Sequence, residues 1–135
     1  MNKVRILLAD DHPHFPEIEA RLLEPEFEVV GKVCDGQALV DEALRLKPDV
    51  IVSDISMPIL NGIEAAIRLR GSGCNSRILF VTVHSDTEFV RCCLSAGALG
   101  YVVKSRILSE LVPAIREALA GNIFVSQGLP HENET

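Results

Sequence analysis

Five polar side chains stand out because each closes a short apolar run: the pair Asp10-Asp11 after "RILLA", Asp54 after "VIVS", Thr82 after "RILFV" and Lys104 after "GYVV". An isolated aspartate after a strand is usually a turn former or a helix cap. Two adjacent carboxylates facing a third raise one another's pKa and resist desolvation, so something must offset the repulsion. A hard divalent cation does so, and Mg2+ is typically held by one or two carboxylates with waters and phosphate oxygens. With the cation in place a carboxylate can act as nucleophile and form an aspartyl-phosphate. A lysine point charge and a hydroxyl donor then suit the transferred phosphoryl group. Asp54 is the candidate nucleophile, because Asp10 and Asp11 come as a pair suited to the metal.

These residues converge only if their strands lie parallel, with all carboxyl ends on one edge. The sequence supplies that arrangement. Strand-like runs at residues 4–9, 28–33, 49–53, 77–82 and 100–104 alternate with segments of helical period. Several are almost wholly apolar, as strands covered on both faces are. Between them, Leu39, Ala43 and Leu46 form one helical stripe, Val90, Cys93, Leu94 and Gly97 another, and Leu108, Leu111, Val112, Ile115 and Leu119 a third. Asn61-Gly62-Ile63-Glu64 and Ser85-Asp86-Thr87-Glu88 have the pattern of capping boxes, and Gly97 and Gly121 suit helix stops. Pro13 and Pro16 crowd the start of the first helix, where a proline is tolerated only in the first turn. Five βα units predict a parallel sheet with right-handed crossovers and helices on both faces. Ligands of such sheets bind beyond the carboxyl ends of the strands.

The 135 residues suffice for one domain with a sizeable core. A net charge of −6 and the lack of a Lys/Arg cluster argue against nucleic-acid binding by this chain itself. Cys34, Cys74, Cys92 and Cys93 make no C-x-x-C pair and read as reduced thiols. No apolar run approaches a membrane span, and the start of the chain has no signal-peptide pattern; a cytoplasmic location without membrane contact is expected. The domain is expected over residues 1–122. Residues 123–135 lose periodicity and read as an extension or the start of a linker.

The acid pair, "DISMPILNG", the threonine of "FVTVHS" and the lysine of "GYVVKS" together resemble the receiver domain of bacterial two-component response regulators, over roughly residues 3–121. "HPHF" and "LVPAIREALAGNIFVS" resemble the NarL/FixJ-type subfamily. The resemblance implies a doubly wound, flavodoxin-like α/β domain of five parallel strands in the order 2-1-3-4-5. It implies that Asp54 accepts a phosphoryl group from a sensor histidine kinase, and that Asp10, Asp11, Asp54 and the backbone carbonyl of Ser56 hold Mg2+. Thr82 and Lys104 would engage the phosphoryl oxygens. Tyr101 matches the family's switch aromatic, which moves between outward and inward rotamers. Output would run through the fourth helix, fifth strand and fifth helix, with Phe89, Val90, Tyr101 and Arg106 on the readout surface. A homodimer through that face, or through the first and fifth helices, is compatible with the sequence. Members of the subfamily usually continue into a helix-turn-helix domain, so DNA contact is expected only through an output domain absent from this chain. The chain is then either cut from a longer protein or a stand-alone receiver.

Some positions depart from the pattern. Ser105 follows Lys104 where many receivers place a proline in a cis peptide, and a cis bond before any other residue costs about 2.5–4 kcal/mol. Val83 replaces a common alanine, and its bulk would hinder the inward movement of Thr82. Ser56 and His84 occupy the two variable positions that tune phosphoryl lifetime. His84 reads as an exposed loop residue, and His12 as a loop and helix-entry residue in preference to a metal ligand. A flavin-binding module would need a hydroxyl- and glycine-rich phosphate loop where Asp10-Asp11-His12-Pro13 stands. An aspartate-dependent phosphohydrolase would need a second acid at Ser56. The chain therefore reads as a switch and not a turnover enzyme.

Overall fold

The computed structural model describes residues 3–129; Met1, Asn2 and the last six residues of the expected extension, 130–135, lie outside it. Six strands and five helices alternate in the order β1 (Arg5–Ala9), α1 (Phe15–Leu23), β2 (Glu28–Val33), α2 (Gly36–Leu46), β3 (Val50–Ser53), α3 (Gly62–Gly71), β4 (Arg77–Thr82), α4 (Thr87–Ser95), β5 (Gly100–Val103), α5 (Ile107–Leu119) and β6 (Phe124–Val125). A short 3-10 turn, Lys104–Arg106, joins β5 to α5. All pairings are parallel, in the order β2-β1-β3-β4-β5-β6.

The alternation of side chains along each strand builds two cores. Ile6, Leu8, Val50, Val52, Leu79, Val81 and Val102 pack against α1 and α5. Leu7, Ala9, Ile51, Ile78, Phe80 and Tyr101 pack against α2, α3 and α4. Because both faces are covered, β3 is buried along its whole length, which explains its unbroken apolar sequence. Asp10, Asp54 and Lys104 directly follow β1, β3 and β5, and Thr82 ends β4. The fold thereby brings four strand ends, and the polar groups on them, to one edge.

The local signals fared unevenly. Pro16 sits in the first turn of α1, where its missing N–H costs nothing. Asn61 and Glu64 form a reciprocal capping box on α3. The expected box on α4 is not formed: the helix starts one residue later, with Asp86 at the N-cap and no side-chain cap bond. Ser85 therefore lies outside the helix, and Glu88 falls one position short of the reciprocal site. The stripe expected on α5 is rotated. Ile107, Leu111, Ala114, Ile115 and Ala118 face the sheet, whereas Leu108 is 80% exposed.

The residues expected as an extension carry a short strand. Phe124–Val125 add a sixth strand beside β5, and Ser126 is buried. The Ser126 hydroxyl donates to Glu110 Oε1 on α5 and accepts from the Val103 amide at 2.9 Å. Phe124 and Val125 also pack against the two cores, and the strand is hard to see in the sequence because it is only two residues long and is followed by polar residues. Among the described residues no helix is long and apolar enough to cross a membrane, and the four cysteines are free thiols.

Candidate phosphoacceptor site

Asp10 and Asp54 are placed by main-chain bonds before their side chains act. The Asp10 amide donates to Val33 O at 3.0 Å and the Asp54 amide to Ala9 O at 2.8 Å. Both carboxylates are buried. Asp10 Oδ1 accepts from the His12 amide at 2.8 Å, and Asp54 Oδ1 from the Ile55 amide at 2.7 Å. The Lys104 ammonium bridges their other oxygens, 2.8 Å from Asp10 Oδ2 and 2.9 Å from Asp54 Oδ2. Burial pulls the Lys104 pKa down, but the hydrogen bonds and charges of Asp10 and Asp54 outweigh it and leave it raised, so the ammonium is charged at neutral pH. Its Nζ also lies 3.1 Å from His12 Nδ1 and 4.3 Å from the centre of the Phe15 ring.

Asp11 completes the rim, exposed to solvent. Asp10, Asp11, His12 and Asp54 each offer one ligand atom, and these atoms lie within 4.8 Å of one another. Three carboxylates balanced by one ammonium form a set suited to a hard divalent cation. His12, read from sequence as a loop residue, is part of this cluster, with Nδ1 3.0 Å from Asp10 Oδ1. Its position next to the acid pair is the only sequence signal that pointed there.

The β4–α4 loop forms the opposite wall. Thr82 is fully buried, and its hydroxyl accepts from the His84 amide at 3.3 Å. The His84 ring stacks on Phe89, with centroids 4.2 Å apart and planes 15° from parallel, and its Nε2 lies 3.0 Å from Ser56 Oγ. His84 is half-buried and ties the β4–α4 loop to the β3–α3 loop, unlike the free loop histidine expected. Val83 is 69% exposed, so its bulk stands in solvent and not in the interior beside Thr82. Tyr101 is buried, and its hydroxyl donates to the main-chain carbonyl of His84 at 2.8 Å. No peptide bond among the described residues is cis, so Lys104-Ser105 is trans.

Sequence reasoning missed two further residues of this pocket. Phe15 roofs Lys104, and "HPHF" was its only trace. Glu19, one turn further along α1, is 2% exposed, and its Oε1 has no hydrogen-bond partner. Burial holds its carboxyl well above the usual range; Asp10 adds to the rise and Lys104 opposes it. A glutamate between apolar helix residues gives no warning of this, since glutamates on helices are usually solvated.

A doubly wound sheet with an acid pair, a central aspartate, a threonine and a lysine at its carboxyl edge defines a receiver domain. The comparisons agree. The sequence pattern of the response regulator receiver domain matches residues 6–116, and the chain belongs to that family. It is 36% identical over 132 residues to the transcriptional regulatory protein DegU of Brevibacillus brevis, covering 96% of this chain and 56% of that protein. It is 35% identical over 126 residues to the nitrate/nitrite response regulator protein NarL of Escherichia coli, covering 92% and 58%. The chain thus spans a little over half the length of these curated relatives. Among solved structures, a LuxR-family two-component response regulator from Aurantimonas superposes with a TM-score of 0.88 at 38% identity, covering 93% of this chain and 91% of that one. The receiver domain of a putative NarL from Mycobacterium tuberculosis gives 0.86 at 31%, covering 90% and 100%. The relatives are of the NarL/LuxR type, whose receivers are switches rather than catalytic enzymes.

Proposed function

We propose that this receiver is switched by phosphorylation of Asp54, with a sensor histidine kinase as donor. A carboxylate oxygen of Asp54 attacks the phosphorus of a phosphohistidine, the P–N bond breaks, and the histidine nitrogen departs with the electron pair. The observation that carries this reading is the Lys104 ammonium held within 3 Å of both Asp10 and Asp54 at the sheet edge. Preorganised positive charge beside a nucleophilic oxygen costs no reorganisation when negative charge arrives.

Asp10, Asp11 and Asp54, with the Ser56 carbonyl, would hold Mg2+, which when bound supplies the positive charge that lets an anionic carboxylate meet an anionic phosphoryl group. Every other part is played by the chain itself. Ile55 N–H and Lys104 fix the two oxygens of Asp54. The Thr82 hydroxyl, held in the interior by the His84 amide, has a phosphoryl oxygen as its new partner once the group is present. Movement of Thr82 pulls on the β4–α4 loop, and the Tyr101–His84 bond passes that pull to β5. The face of α4, β5 and α5 is the readout, a bistable surface biased by one added charge. Two relatives are named as transcriptional or nitrate/nitrite regulators, which supports transcription as the output, acting from the cytoplasm through a further domain or partner and with a second copy of the receiver as a candidate dimer partner.

The test is intact mass after incubation with acetyl phosphate and Mg2+. The chain gains one phosphoryl group; the gain disappears without Mg2+ and in Asp54→Asn. A wild-type chain that gains nothing from acetyl phosphate or from a phosphohistidine donor would overturn the reading.

A further inference from the structure

The Lys104 ammonium donates to two buried carboxylate oxygens, Asp10 Oδ2 and Asp54 Oδ2, and lies 3.1 Å from His12 Nδ1. A further carboxylate acceptor is left over. Glu19 Oε1 is buried without a partner, an arrangement that costs about 1–3 kcal/mol and needs a reason. Its place on α1 supplies one. Phe15 and Glu19 are four residues apart, on the same face of the helix, and side chains on a helix lean toward its N-terminus. Phe15 lies against the Lys104 ammonium, and Glu19 follows it one turn along the same helix face. Besides burial, which raises its pKa most, the Glu19 carboxyl is pushed up by Asp10 and Asp54 and drawn down by Lys104, the charges of this same pocket.

We propose that Glu19 is the alternative partner of Lys104, receiving its ammonium when a divalent cation takes Asp10 and Asp54 and returning it when a phosphoryl group arrives at Asp54. In the resting pocket Lys104 competes with the cation, because it occupies an oxygen of each buried carboxylate. A cation that engages those oxygens strips Lys104 of two acceptors in a partly buried site, where an unpaired ammonium is costly. Glu19 Oε1 offers a replacement without rearranging the main chain. The residue is a positioning residue: it acts through Lys104 and touches neither the cation nor the phosphoryl group. This inference rests on the Mg2+-dependent reading above.

The test is a double-mutant cycle on Mg2+ affinity, read by calorimetry without any phosphoryl donor. Glu19→Leu removes the spare acceptor, fits an apolar core and weakens Mg2+ binding by about ten-fold, the usual scale for support of a metal site from outside its ligands. Glu19→Gln keeps an acceptor oxygen and binds Mg2+ like the wild type. In the Lys104→Met background there is no ammonium to rehouse, and Glu19→Leu has no effect. An unchanged affinity in Glu19→Leu overturns the proposal. So does a loss that persists in Lys104→Met, which would mean a direct charge effect on the cation, or a Gln variant as weak as Leu. A wild-type chain that binds no Mg2+ sinks the metal-dependent reading as well, whereas normal wild-type binding with an indifferent Glu19→Leu sinks this inference alone.

Discussion

The phenol of Tyr101 donates to the main-chain carbonyl of His84 at 2.8 Å, from inside the protein. Tyr101 is therefore seated inward, and the β4–α4 loop is pinned to β5. Burial and the nearby Cys93, Asp86 and Asp54 push the phenol pKa far above its ordinary value, so the hydroxyl stays a donor at any working pH.

Tyr101→Phe keeps the buried ring and removes only this bond. Stability falls by about 0.5–1.5 kcal/mol, the net worth of one hydrogen bond. Urea denaturation measures it, and an unchanged midpoint would mean that water replaces the phenol at the His84 carbonyl.

Lys104→Met leaves two buried carboxylates facing each other. Without divalent cation the variant loses about 3–5 kcal/mol, as when one partner of a buried pair is deleted. Adding Mg2+ restores more stability to the variant than it adds to the wild type, since the competing ammonium is gone. Thermal melting with EDTA and with Mg2+ compares the two; equal Mg2+ increments would refute the competition.

The pH dependence of stability carries the signature of Glu19. Its folded pKa lies well above the ordinary 4.5, so between those values the fold keeps a proton that the unfolded chain releases. This contribution is fully present below about pH 4.5. As pH rises it is lost at up to about 1.4 kcal/mol per unit, until the folded group itself ionises. Glu19→Gln removes the slope. The difference between the two denaturation series, wild type minus variant, falls with rising pH in that window; a flat difference would place the carboxyl in solvent.

Ser126→Ala tests the sixth strand. It leaves the Val103 amide and Glu110 without their shared partner and costs about 1–3 kcal/mol. A melting temperature equal to that of the wild type would mean that β6 is not anchored there.

Gly62 packs directly beneath the acceptor: a Cβ there would fall 2.1 Å from the Asp54 carbonyl oxygen. Backbone must then shift, so Gly62→Ala displaces Asp54 from Lys104. Its phosphorylation by acetyl phosphate slows by more than ten-fold, since misplacement by about 1 Å can cost a hundred-fold. A rate like the wild type's would show that α3 can slide without moving Asp54.

Periodicity and punctuation in the sequence were enough to determine the parallel sheet, its carboxyl edge and the Asp10, Asp11, Asp54, Thr82 and Lys104 set. Apolar strands covered on both faces and glycine helix stops (Gly97 and Gly121, both at positive φ) are local properties, written residue by residue. Tertiary structure alone decided the rest. Strand β6 forms because Phe124 and Val125 pair with β5 and pack on the cores while Ser126 finds Glu110 and the Val103 amide. His84 is fixed by Phe89 and Ser56, and Tyr101 is held inward by the His84 carbonyl. Glu19, ordinary as a letter in an acidic helix, is buried beside Ala20 and Leu23, which α1 packs into the core. These depend on pairs far apart in the chain, and a buried polar group is defined by what surrounds it, which no local pattern encodes.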